Sequence, residues 1–114
     1  MHVLLINGSP HEKGCTYTAL SLVAGELNAA GITTEILNVG TKPVGGCIGC
    51  GGCAKGNGCV FGGVVNEAIE KARTADAFVF GTPVHYASAS GNMTSFMDRL
   101  AYAGGKYLAY KPAA

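Results

Sequence analysis

Residues 2–16 read HVLLINGSPHEKGCT, and this stretch decides the fold. The short apolar run HVLLIN ends at Gly8-Ser9-Pro10, and Gly14-Cys15-Thr16 then opens a pattern of different period. A short continuous apolar run fits a strand buried on both faces. Beyond it, Leu20, Val23, Ala24 and Leu27 recur at helical spacing, and Gly31 stops the helix. The chain therefore opens as strand, loop and helix.

The same alternation continues outward. Residues 33–39, TTEILNV, predict a second strand, and a glycine- and cysteine-rich loop follows from about 41 to 61. Val64, Val65, Ala68, Ile69 and Ala72 give a second amphipathic helix, with Glu67, Glu70, Lys71 and Arg73 facing out. Residues 76–81, DAFVFG, are a third buried strand. Thr82 to Gly91 is a loop, and Met93, Phe96, Met97 and Leu100 mark a third helix. Strands alternating with helices predict an α/β, doubly wound parallel sheet with right-handed crossovers. Ligands of such sheets sit beyond the C-terminal strand ends, which directs attention to loops 8–16 and 81–91, with 40–61 beside them. The final KYLAYKPAA resembles the approach to another strand. Doubly wound sheets commonly have five strands or more, so three strands imply an unusually small fold or the N-terminal portion of a larger one.

Length and composition bound the function. The 114 residues predict one domain, 1–114, without linker or repeat. A net charge of +1, with 13% charged residues, gives no case for nucleic acid or an anionic membrane surface. A membrane span needs about 20 apolar residues, and the apolar runs here are far shorter. MHVLLINGSP has no basic leader, so no secretory signal is expected. Five cysteines fit a reducing cytoplasm, where clustered thiols mean metal or redox chemistry more often than disulfides.

The first loop has two readings. Helix N-termini offer unpaired N–H groups and a partial positive charge, and so bind phosphate. Ser9 and Thr16 add hydroxyls, and Gly14 permits close backbone approach. The P-loop pattern fails, because Lys13 precedes Gly14, and the dinucleotide signature G-x-G-x-x-G is absent. An ordinary strand-to-helix turn with Ser and Thr as caps is the other reading. In the loop after the third strand, Pro83 stiffens the turn. Val84 offers an apolar wall and Tyr86 a stacking face for a flat ring.

Three segments together, GSPHEKGCT, CIGCGGC with a fourth cysteine, and GTPVHYASASGNMTSFMDR, resemble the NADPH-dependent FMN reductase family, including its iron–sulfur flavoproteins. That resemblance covers essentially the whole chain. It implies a flavodoxin-like sheet of order 2-1-3, with about two further C-terminal strands of the family's fold missing from this sequence. It implies FMN, its phosphate held at Ser9, Gly14, Cys15, Thr16 and Tyr17. The isoalloxazine is expected against Pro83, Val84, His85 and Tyr86, with Ser88 and Gly91 beside it. NAD(P)H is the implied hydride source, and a quinone, free flavin or other small molecule the acceptor. No side chain is assigned as a catalytic acid or base, since the flavin carries the chemistry. A homodimer or homotetramer is expected from the same likeness. The pattern departs at His11 and Cys15, where a basic residue and Asn are usual.

Cys47, Cys50, Cys53 and Cys59 read C-x2-C-x2-C-x5-C. Structural zinc usually separates its two pairs by a dozen or more residues, so this spacing is compact for zinc. It resembles the start of a cluster-binding run and matches the iron–sulfur flavoproteins, in which a [4Fe–4S] cluster passes electrons to FMN. The alternative is four free or structural thiols packing a turn. Two functions follow, a flavin reductase and a non-enzymatic electron carrier with both cofactors. A third outcome is an inactive fragment that binds no flavin.

Overall fold

The structure is a computed structural model describing residues 1–114. In chain order the elements are β1 (His2–Asn7), α1 (Cys15–Ala29), β2 (Thr33–Asn38), a single 3-10 turn (Gly52–Lys55), α2 (Gly63–Thr74), β3 (Ala77–Gly81), β4 (Val84–His85), β5 (Ser88–Ala89) and α3 (Gly91–Leu108). β1 is central and pairs in parallel with β2 on one side and β3 on the other, giving the order β2-β1-β3. No helix is long and apolar enough to cross a membrane.

The unbroken apolar run of β1 has the predicted cause. Val3 and Leu5 pack with Leu20 and Ala24 of α1. Leu4 and Ile6 join a larger core with Val65, Ala68 and Ile69 of α2 and Met93, Phe96 and Leu100 of α3. All four β1 side chains are at most 4% exposed. Full burial of such a side chain contributes about 1.5–3 kcal/mol, so β1 anchors both layers. α1 ends as its glycine predicts. Gly31 takes φ +81°, Gly31 N–H donates to Asn28 O, and Ile32 N–H reaches back to Leu27 O. That bond pattern is a Schellman cap, completed by Leu27 and Ile32 packing into one cluster.

Several expectations shift in detail. Val23 and Met97, placed on buried helix faces by their spacing, are 39% and 42% exposed. Val23 lies at the rim of a cavity between α1 and the end of β3. Met97 borders an apolar groove along the outer edge of β3, with Phe78 and Phe80. Lys71, read as outward-facing, is half-buried and bonds Glu35 of β2. α3 continues to Leu108, because Gly104 lets it approach α2; a Cβ there would lie 2.9 Å from Ile69 Cγ1. The segment 82–91, expected to be plain loop, contains the antiparallel pair β4–β5. Residues 112–114 do run as a strand begins. They lie parallel to β3, where Phe78 N–H donates to Pro112 O and Phe80 N–H to Ala114 O.

The Lys71–Glu35 pair ties α2 to the edge strand β2, and its hydrogen bond and charge raise the Lys71 pKa above its usual 10.5 despite partial desolvation. A raised folded value gives stability that is complete below the ordinary lysine pKa and is lost as pH rises through the raised one. Glu35→Gln is therefore expected to cost about 0.5 kcal/mol near neutral pH. The difference from wild type should shrink above pH 10.5, as read by urea denaturation at a series of pH values.

Candidate functional site

The C-terminal ends of all three main strands meet in one place. Gly8 N–H donates to Gly81 O at 2.8 Å, joining the loops after β1 and β3. Gly8 O accepts from Ser90 Oγ at 2.9 Å. Val39 N–H donates to Asn7 O, bringing in the end of β2. Gly40 follows, packed so tightly that a Cβ would lie 2.3 Å from Gly8 O and 2.5 Å from Ser9 O.

Asn7 shapes the first loop from beneath. It is fully buried, and its Oδ1 accepts from Ser9 N–H at 3.1 Å. Its Nδ2 donates to Asn38 Oδ1 at 2.9 Å and to Glu12 O at 3.3 Å. The buried Ser9 Oγ accepts from His11 N–H, which leaves its own proton free to donate. The loop then delivers Gly14 as the cap of α1. Glycine supplies no capping side chain, no other side chain substitutes, and the first turn carries no acid. The amides of Cys15, Thr16 and Tyr17 therefore point out of the helix end without partners. A phosphate fits this end electrostatically and by hydrogen bonding.

The loop after β3 is the second half. Thr82 Oγ1 accepts from Ser90 N–H at 3.0 Å, closing the segment on itself. Between them β4 and β5 form a ribbon turned by Tyr86 (φ 51°) and Ala87 (φ 65°). Two successive positive φ values are the pattern of a type I′ turn, which is usually filled by Asn, Asp or Gly. The turn holds Val84 and Tyr86 out in solvent, while Pro83 stays half-buried and Ser88 is exposed. Cys15 and Thr16 face a cavity of about 510 Å³ shared with Gly81 and Thr82. His85 and Gly91 share a polar cavity of about 280 Å³ with Gly8, Pro10 and Asn92. The two predicted loops thus adjoin, but Ser9, Gly14, Tyr17, Pro83, Val84, Tyr86 and Ser88 line neither cavity.

The cysteine loop lies apart. Cys47, Cys50, Cys53 and Cys59 all line one mostly apolar cavity of about 150 Å³ with Phe61 and Arg99. All four are free thiols, as is Cys15. No three His, Cys, Asp or Glu side chains stand close enough to hold a single metal ion. The thiols instead surround a space far larger than the ~10–15 Å³ one water needs. In donor chemistry, four thiols in a compact loop suit a thiolate-bound cluster. Burial alone would push the Cys59 thiol up, but the hydrogen bond and charge of Arg99, with the Phe61 and Gly62 backbone, hold it below its usual value.

Five residues that sequence reasoning left without a role hold these loops. Asn7 and Ser90 shape the strand-end loops, as described. Asn92 accepts from Val44 N–H and donates to Gly40 O and Lys42 O. Asn66 accepts from Cys59 N–H and donates to Cys59 O. Arg99 reaches Gly45, Cys59 and Gly62. Neither Asn66 nor Arg99 falls on the apolar stripes of the sequence, so helical periodicity gives no signal for either.

A family model described as NADPH-dependent FMN reductase matches residues 1–114. Among curated proteins, an iron–sulfur flavoprotein of Methanocaldococcus jannaschii is 31% identical over 99 residues, covering 87% of this chain and 51% of that protein. One of Archaeoglobus fulgidus is 33% identical over 99 residues, covering 87% and 48%. The chain spans about half the length of these relatives. Among solved structures, an NAD(P)H:quinone oxidoreductase from Methanothermobacter marburgensis superposes with a TM-score of 0.69 at 21% identity, over 89% of this chain and 53% of that one. An NADH:FMN oxidoreductase in its apo form gives 0.63 at 20% identity, over 87% and 49%. These two likenesses establish the flavodoxin-like fold.

Two substitutions test the strand-end geometry. Gly40→Ala has only backbone to push against and is expected to cost about 3 kcal/mol, lowering the urea midpoint. Ala87→Gly relieves a left-handed alanine, offset in part by chain entropy, and should raise stability by about 0.5 kcal/mol in the same assay.

Proposed function

The chain belongs to the NADPH-dependent FMN reductase family, and on that premise we propose that it serves an FMN-dependent oxidoreductase that passes electrons from NAD(P)H to a quinone, flavin or other small acceptor. The carrying observation is the open N-terminus of α1, whose three unpartnered amides and missing first-turn acid suit a phosphate monoester. Bound FMN would supply hydride acceptance and onward electron transfer. The chain's own residues bind and orient it. Ser9, Gly14, Cys15, Thr16 and Tyr17 receive the phosphate. Pro83, Val84, His85 and Tyr86, with Ser88 and Gly91, border the ring. The bonds from Gly8 to Gly81 and Ser90 hold the two loops at a fixed spacing. The reaction belongs in a reducing cytoplasm, and the assembled form is a homodimer or homotetramer.

One observation favours a second reading, an electron-transfer iron–sulfur flavoprotein. The four thiols share one cavity rather than scattering along the loop, and the two curated relatives described above bear that name. Cys47, Cys50, Cys53 and Cys59 would hold a [4Fe–4S] cluster, and electrons would reach protein partners.

Cys15→Asp separates phosphate recognition from folding. A carboxylate in the first turn suits the helix dipole, so the apoprotein should gain about 0.3–1 kcal/mol. FMN affinity should fall about tenfold or more through like-charge repulsion, while riboflavin, which lacks the phosphate, binds as before. Flavin fluorescence titration reads the two affinities, and urea denaturation of the apoprotein reads the stability. Equal effects on FMN and riboflavin would remove the phosphate from this helix end. Anaerobic addition of NAD(P)H to the flavin-loaded protein separates the two readings, since a carrier is not bleached directly by the nicotinamide and a reductase is.

A further inference from the structure

Arg99 is a buried cation without a carboxylate. It is 7% exposed, and none of the chain's four ion pairs includes it. Its donors are nonetheless placed. Nε donates to Cys59 Sγ at 3.3 Å, Nη1 to Gly45 O at 3.2 Å and Nη2 to Gly62 O at 3.1 Å. Its guanidinium carbon stands 5.5 Å from the Phe61 ring centroid. Removing a cation from water costs several kcal/mol unless an opposite charge compensates it. Two carbonyls and one sulfur carry little of that charge while the thiols are protonated. Arg99 lines one cavity together with all four cysteines, and as thiolates these would supply the compensating charge.

We propose that Arg99 is the fixed counter-charge of the four-cysteine cavity, neutralising an anionic thiolate-bound [4Fe–4S] cluster and positioning Cys59 as its fourth ligand. The proposal rests on the iron–sulfur reading above. A cluster core held by four thiolates is net negative and becomes more negative on reduction. A buried positive charge and an N–H···S bond both favour the reduced state, and cluster potentials respond to net charge and to hydrogen bonds at sulfur. Arg99 also ties Gly45 before the first cysteine to Gly62 after the last. It therefore closes the loop around the cavity from a helix rather than from the loop itself. Lysine at this position would keep the charge but could not reach all three acceptors with a planar fork.

The test uses the full chain, reconstituted anaerobically with ferrous iron and sulfide, as wild type, Arg99→Lys and Arg99→Met. Circular dichroism of the apoproteins reports folding, iron per chain reports loading, and a potentiometric titration followed by electron paramagnetic resonance reports the midpoint. Wild type should load about four irons per chain, the content of a [4Fe–4S] centre. Arg99→Met should either fold without loading iron or load it with a reduction equilibrium at least tenfold less favourable, about 59 mV lower for one electron. Arg99→Lys should load, keep a midpoint nearer wild type, and lose iron to a chelator faster, because Cys59 is less firmly held. If Arg99→Met does not fold, the chelator rate of Arg99→Lys decides, and a rate equal to wild type overturns the proposal. Wild type loading normally while both variants keep its midpoint and chelator rate overturns the role of Arg99 alone. Wild type that takes up no iron overturns the cluster reading together with the proposal.

Discussion

The meeting of three backbones at Gly8 governs the rest of the molecule. Gly8 donates to Gly81, accepts from Ser90, and lies against Gly40, so the loops after β1, β2 and β3 have one mutual arrangement. No side chain fits between them. The twist of a parallel sheet would otherwise splay these loops apart. Here the close approach turns three strand ends into one surface, with the open end of α1 on one side and the β4–β5 ribbon on the other.

α3 connects this surface to the cysteine cavity. Ser90 caps the helix by accepting from Met93 N–H and also bonds Gly8. Nine residues on, Arg99 bonds Cys59. At ~1.5 Å per residue the two contacts lie about 14 Å apart along one rigid rod. The cysteine segment has little regular structure of its own, only the turn Gly52–Lys55. Its shape comes from Asn66, Asn92 and Arg99, whose side chains bond its backbone from α2 and α3. Precision in this loop is therefore borrowed from the scaffold, as functional loops generally require.

The sequence made the layers legible because burial on two faces leaves a continuous apolar run, and β1 is such a run. The helix stop at Gly31 was equally plain, since a Schellman cap demands a left-handed residue. Loops 8–16 and 81–91 could be placed at the strand ends from topology alone. What could not be read was the polar wiring. Asn7 looks like the last residue of a strand, and only the fold shows its amide meeting Ser9, Glu12 and Asn38. Arg99 carries a charge, and helical periodicity alone gives no reason to bury it. The ribbon escaped notice because Tyr86 and Ala87 are poor type I′ residues, held in that conformation by the Thr82–Ser90 contacts on either side. Val23 and Met97 have the right spacing for burial, but they lie where helices overhang the edges of β3, beyond the reach of its neighbours.

The uncapped start of α1 also couples the abundance of the folded protein to what fills that end. A ligand that binds only the folded state stabilises it by about 2.7 kcal/mol at one hundred times its dissociation constant. That is a sizeable share of the ~5–15 kcal/mol by which a folded domain exceeds its unfolded chain. A serine or aspartate in place of Gly14 would cap one of the helix's open amides and make the folded state less dependent on the ligand. With the end left open, the first turn of α1 becomes a supply gauge. On the proposed reading, scarcity of the anion would raise the population of frayed chains, and proteases would then thin the protein.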